Sequence, residues 1–188
     1  MRMKTCMAVA FTMLLTVSMV FAVKEKVSAF KGTVTKIDRG ARTAVVKTAD
    51  GTEHTVHFVG RTLVHGVEKS AAGTAAGTED AFHGLREGSS VVVHYTAKGA
   101  EETAEEVDRI GNDGLHMTEG TVSKLDRKGK AITIRTAGGA EETYKVADHA
   151  AEDAGKDIGT AAEKSGKVTV YYTEESGRKV AHFFEKTL

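Results

Sequence analysis

Histidine is the most prominent side chain here with chemistry to offer, at His54, His57, His65, His83, His94, His116, His149 and His182. Neutral imidazole is a common metal ligand, so the set raises a transition-metal site. Residues two apart share one face of a strand, so His54 and His57, three apart, point to opposite faces and cannot chelate one ion together. Either could meet His94 across strands, which makes His54, His57 and His94 the candidate metal ligands. The competing reading is of scattered surface histidines. Carboxylates recur as Glu101-Glu102, Glu105-Glu106 and Glu141-Glu142, and such runs on strands and turns keep a face wet and discourage edge pairing. Nothing implies the cleft a glycosidase pair needs. No serine sits in a G-x-S-x-G elbow, and each glycine cluster is explained by a hairpin rather than a phosphate loop. The expectation is therefore no enzyme and no cofactor. Binding falls to aromatics: alternation sets Tyr171 opposite in sense to Val168, Val170 and Tyr172, and Phe183 and Phe184 cannot both point inward. Tyr171 and Phe183 are the candidate ligand-binding residues, on an exposed patch near the C-terminus.

The elements that must position these side chains come from a duplication. Residues 32–58 recur without a gap as 120–146, from Gly32/Gly120, Thr33/Thr121 and Val34/Val122 to Gly51/Gly139, Glu53/Glu141 and Thr55/Thr143, an offset of 88. The period is too long for a solenoid unit and fits a small self-contained β-domain. Scaffold positions agree between copies while candidate site positions diverge: His54, His57 and His94 face Glu142, Lys145 and Tyr171.

Each copy begins with a three-stranded meander. Val34 and then, after a step, Ile37 carry the apolar side of the first strand. The second strand spans 43–48 and the third 52–58, joined at Asp50-Gly51, a pair that favours hairpin turns. An alanine-rich connection follows, a loose helix over 67–82 in one copy and over 147–164 in the other. The segments 90–96 and 168–173 are dense in β-branched and aromatic residues, and a last strand closes each copy near 102–110 and 178–185. The order strand, strand, strand, helix, strand, strand is that of a five-stranded Greek-key OB barrel, with an SH3-like barrel as the alternative. We expect an all-β chain with short helical insertions: two tandem OB-like barrels at 31–111 and 119–188, joined by a linker at 112–118.

Residues 1–22 pair Arg2 and Lys4 with an apolar run ending in Val20-Phe21-Ala22, the pattern of a secretory signal helix; 23–30 form a polar lead-in. An uncleaved anchor is the alternative for that run. Cys6 lies before the apolar core, so the mature chain has no cysteine, and its barrels must be held without disulfides. Removing Arg2 and Lys4 from 26 basic and 26 acidic residues leaves a net charge of −2, a poor match for a nucleic-acid backbone. The expected location is periplasmic or secreted, with no membrane contact after signal cleavage and the oligomeric state open.

The residues GTVTKID, the ADG hairpin, LREGSSVVVHYT and EEVDRI give each half a resemblance to the small OB-like domains of uncharacterised exported bacterial proteins. The layout is also similar to periplasmic copper-efflux metallochaperones, a family that binds its ion with a His, two Met and a Trp on the second and third strands. This chain has no Trp, and its only mature Met is Met117, so that copper site is not carried over. The resemblance is a fold signature; with no polar constellation repeated or shared between the domains, we expect a non-catalytic binding or structural module of the cell envelope, its partner an envelope protein or a small ligand. The alternative is a periplasmic copper- or zinc-binding protein.

Overall fold

Alternating apolar and polar residues build ten strands in a computed structural model that describes residues 26–66, 82, 85–111, 114–148, 150 and 166–187. The first copy holds β1 (Val27–Asp38), β2 (Thr43–Thr48), β3 (Glu53–His65), β4 (Ser90–Lys98) and β5 (Glu101–Arg109). The second holds β6 (His116–Asp126), β7 (Ala131–Thr136), β8 (Glu141–Val146), β9 (Lys167–Glu175) and β10 (Arg178–Thr187). Both close into barrels, ordered β1-β2-β3-β5-β4 and β6-β7-β8-β10-β9. The closing pairs β3 with β5 and β8 with β10 run parallel, and the other neighbours antiparallel. This is the OB-like arrangement, and it excludes the SH3-like alternative. Closure shortens the exposed sheet edges, although β8 and β10 pair only through Lys145, Val146, Val180 and Ala181.

The inward residues make two separate cores. Val34, Val46, Val56, Phe58, Val91, Val93, Ala104 and Val107 fill the first, with Phe82 and Leu85 packed among them. Val122, Ile132, Ile134, Tyr144, Val168, Val170, Tyr172, Ala181 and Phe184 fill the second, with Ala150. The step between Val34 and Ile37 is a β-bulge, repeated between Val122 and Lys124. The extra residue turns its hydroxyl onto the partner strand: Thr35 Oγ1 donates to Val45 O at 3.2 Å and Ser123 Oγ to Thr133 O at 3.3 Å. A second duplicated bulge lies at Glu105 in β5 and His182 in β10, where Ala104 and Val107, or Ala181 and Phe184, point inward although three apart.

Three boundaries differ from expectation. β1 starts at Val27, inside the stretch read as a polar lead-in, because Phe30 packs against the first core and stacks on His54 at 4.1 Å. β6 starts at His116, inside the expected linker. β3 does not stop at Phe58: after an excursion over 59–62, pinned where Thr62 Oγ1 donates to Ala104 O at 2.7 Å, it resumes as Leu63, Val64 and His65 beside β5. Between the barrels Leu115 N donates to Arg109 O at 2.8 Å, and a Cβ on Gly114 would lie only 1.8 Å from that oxygen. The expected signal helix over 1–22 lies outside the described residues. So do the expected helices over 67–82 and 147–164, except for Phe82, Ala147, Asp148 and Ala150.

Ile134 is fully buried and shared by no seam contact. Ile134→Ala should cost about 2–5 kcal/mol in urea unfolding through the cavity it leaves; a change below about 0.5 kcal/mol would contradict the assigned core.

Candidate metal centre at the seam between the barrels

The outer faces of β4 and β5 meet those of the corresponding strands β9 and β10. Val92, Leu115 and Tyr171 are buried between them, with Ile110 and Phe183 packed alongside. One half of this seam is closed by Lys31, whose Nζ donates to Tyr171 Oη at 2.9 Å and to Glu185 Oε2 at 2.5 Å; Tyr171 Oη donates to the same carboxylate at 2.7 Å. The other half holds two buried carboxylates and three imidazoles.

Those carboxylates belong to Glu106 and Asp108, on the outer face of β5. Asp108 is 0% exposed and Glu106 8%, a costly position for anions without partners. The resumed end of β3 answers the need, since its parallel register sets His65 beside Asp108. His65 Nδ1 lies 2.9 Å from Asp108 Oδ1 and 3.1 Å from Glu106 Oε1. From β4, the buried His94 brings Nε2 to 3.7 Å from Asp108 Oδ2. From the second barrel, the bulge in β10 aims His182 Nδ1 at Glu106 Oε1 (3.5 Å) and Asp108 Oδ2 (3.7 Å). Thr173 Oγ1, 2.9 Å from His182 Nε2, fixes that ring. Asp108 Oδ2 is buried and accepts no hydrogen bond.

The electrostatics follow from the contacts. The hydrogen bond to Asp108, with a second to Glu106, lifts His65 to about 10, against some opposing desolvation. Burial alone would raise Glu106, but hydrogen bonds from His182 and His65 hold its carboxyl well below the usual carboxylate range. Burial likewise works to lower His182, and the Glu106 hydrogen bond and the Asp108 charge overcome it, so its value is raised. Protons therefore balance the carboxylates when no other cation is present. A metal ion can take the protons' place: the ligand atoms of His65, Glu106 and Asp108 lie within 4.8 Å of one another.

The candidate ligands His54, His57 and His94 are not brought together. His54 shares the sense of the inward Val56 and Phe58 along β3, whereas His94 faces outward with Glu106 and Asp108. His54 lies at one end of the first barrel, its Nδ1 2.9 Å from Glu102 Oε1 and its ring against Phe30 and near Tyr95. His57 is on the opposite face of β3 from Val56 and Phe58, half-buried. Only His94 reaches the seam cluster. In the second barrel, the His54–Glu102 position becomes Glu142 with Lys179, whose Nζ donates to Glu142 Oε2 at 2.8 Å, the same clasp with its polarity exchanged. Tyr171 does point away from the second core, as alternation implied, but it is covered by the first barrel and packs at a tilt against Phe183, ring centroids 5.7 Å apart. The two are seam residues rather than an exposed platform. Tyr171 also borders a cleft of about 580 Å³ with Lys31, Thr33, Lys47, Ser90 and Met117.

Sequence reasoning missed His65, Glu106, Asp108 and His182. The signals available were the alternating RTLVH after the expected end of β3 and an aspartate set between Val107 and Ile110 in a strand.

Two outcomes follow. With metal removed by chelation, stability gained through His65 is complete below pH 6.5 and lost as pH rises toward about 10, because its folded value is the higher one. Glu106, held low, adds stability above pH 4.5 that is lost on acidification. Thermal midpoints should therefore fall on the alkaline side, and His65→Gln should flatten that limb; an unchanged alkaline profile in the variant would remove the pairing. Tyr171→Ala should destabilise the chain by about 3 kcal/mol in urea unfolding, whereas an exposed platform residue would cost almost nothing.

No protein-family model matches the sequence, and no curated protein does. Among solved structures the chain is similar to Ag(I)CusF, at 11% identity and a TM-score of 0.32, over 45% of this chain and 97% of that one. It is also similar to apo-CusF residues 6-88 from Escherichia coli, at 10% identity and a TM-score of 0.33, over 48% of this chain and 94% of that one.

Proposed function

We propose that the chain is an exported, non-catalytic binding protein of the cell envelope whose ligand is a divalent transition-metal ion, held by His65, Glu106 and Asp108. The convergence of those three ligand atoms within 4.8 Å carries the reading. Its support is chemical: imidazole and carboxylate suit zinc(II) or copper(II), and the absence of sulfur from the cluster disfavours copper(I). Asp108 Oδ2, buried and without a hydrogen bond, is an acceptor that a cation would satisfy. His65, with its side chain 46% exposed, gives the ion a way in from solvent. Export rests on the signal-like residues 1–22. The non-catalytic reading rests on the sequence, which offers no nucleophile elbow, phosphate loop or dinucleotide fingerprint.

A second reading is favoured by the cleft beside Tyr171, whose lining includes Lys47, Thr33 and Ser90, residues that suit a small anionic ligand.

Calorimetric titration of the mature chain with zinc and copper(II) should give one sub-micromolar site. Asp108→Asn and Glu106→Gln should abolish it, and His54→Ala with His57→Ala should leave it intact. Weak, heterogeneous binding indifferent to Asp108→Asn would overturn the reading. For export, the mass of the chain recovered outside the cytoplasm should correspond to an N-terminus at Val23.

A further inference from the structure

The same cluster carries a consequence for the two barrels, and it rests on the metal-binding reading above. The three ligands proposed above, His65, Glu106 and Asp108, come from the first barrel, but His182 comes from the second. A tetrahedral ion with bonds of about 2.0–2.1 Å needs ligand atoms about 3.3 Å apart. His65 Nδ1 lies 2.9 Å from Asp108 Oδ1 and 3.1 Å from Glu106 Oε1, and His182 Nδ1 lies 3.5 Å from Glu106 Oε1 and 3.7 Å from the other Asp108 oxygen, Oδ2, so the two carboxylates hold both imidazoles near that spacing. We infer that the ion is shared by the two barrels, with His182 Nδ1 as its fourth ligand, so that metal occupancy latches β10 onto β5.

Several features of the chain favour this assignment. His182 is the extra residue of a bulge, a device that re-aims a side chain out of the strand's regular alternation. Its counterpart in the first barrel, Glu105, turns instead to Arg61, at 2.8 and 3.0 Å, and takes no part in the seam cluster. Thr173 engages Nε2 of His182, which leaves Nδ1 as the nitrogen facing the carboxylates, the kind of outer support that orients metal-binding imidazoles. His94, also buried, brings its Nε2 to 3.7 Å from Asp108 Oδ2. Among the described residues the seam otherwise holds a small apolar group and the Lys31 ion pair, so a shared ion would add a strong tie between the barrels. Linkage then requires that metal tighten docking and that docking tighten metal binding by the same factor.

The test uses the full mature chain, zinc as the probe, and hydrogen exchange of the strands with and without it. In the wild type, zinc should slow exchange in both β5 and β10. His182→Ala, and His182→Gln as a variant that retains a polar side chain near Thr173, should bind zinc at least about tenfold more weakly. Both should lose the zinc-dependent protection of β10 while keeping that of β5. If zinc binds the wild type without protecting β10, or binds either variant as tightly as the wild type, the latch is wrong and the metal-binding reading stands. If zinc does not bind the wild type at all, both fall together. The wild-type exchange comparison decides the matter even where a variant folds poorly.

Discussion

Two carboxylates on the outer face of a barrel strand, Glu106 and Asp108, are withdrawn from water, and the arrangement of both barrels depends on how their charge is met. An outward face of a small barrel ordinarily meets solvent. Here Asp108 is wholly covered, and an uncompensated buried anion costs several kcal/mol. The chain meets this with three imidazoles from three other strands: the extension of β3 delivers His65, β4 delivers His94 and the bulge of β10 delivers His182. Only the last crosses between the barrels. A charge problem local to β5 is thereby coupled to the docking of the second barrel.

The duplication shows how one scaffold supports unlike surfaces. Bulges recur at the same places, and inward positions remain apolar, because barrel closure and a filled interior tolerate few alternatives. Outward positions are free to change. The clasp at the barrel end recurs with the carboxylate on the other strand, His54 with Glu102 in one copy and Glu142 with Lys179 in the other. At the seam, His94, Glu106 and Asp108 are matched in the second copy by Tyr171, Phe183 and Glu185. Corresponding faces therefore meet, one contributing ligands and the other mainly an aromatic surface with a lysine pair.

Much of the fold was legible in the residues. Gapless recurrence of 32–58 established two domains, the pattern around Val34 and Ile37 encoded a bulge, and the opposed senses of Tyr171 and Tyr172 placed one outside the core. The expected helical connections, apart from a few residues at their ends, and the expected signal helix lie outside the described residues. The site was much less legible. Adjacent glutamates in 101–106 read as a wet strand face, which holds for Glu101 but not for Glu106, covered by the second barrel. Tyr171 and Phe183 read as exposed for the same reason.

The sequence by itself determined the period-two strands, their turns and the closed-barrel cores, because these follow from local alternation and from chemistry repeated between copies. Which histidines meet which carboxylates was decided only by tertiary structure. His65, His94 and His182 are far apart in the chain and share no spacing rule. They converge because β5 separates β3 from β4, because β3 resumes in parallel register beside Asp108, and because the seam faces one barrel's ligands with the other's bulge. Alternation assigns a residue to the inside or outside of its own barrel. It carries no information about what covers the outside, and that covering is what turns a solvated acidic strand into a buried ion site.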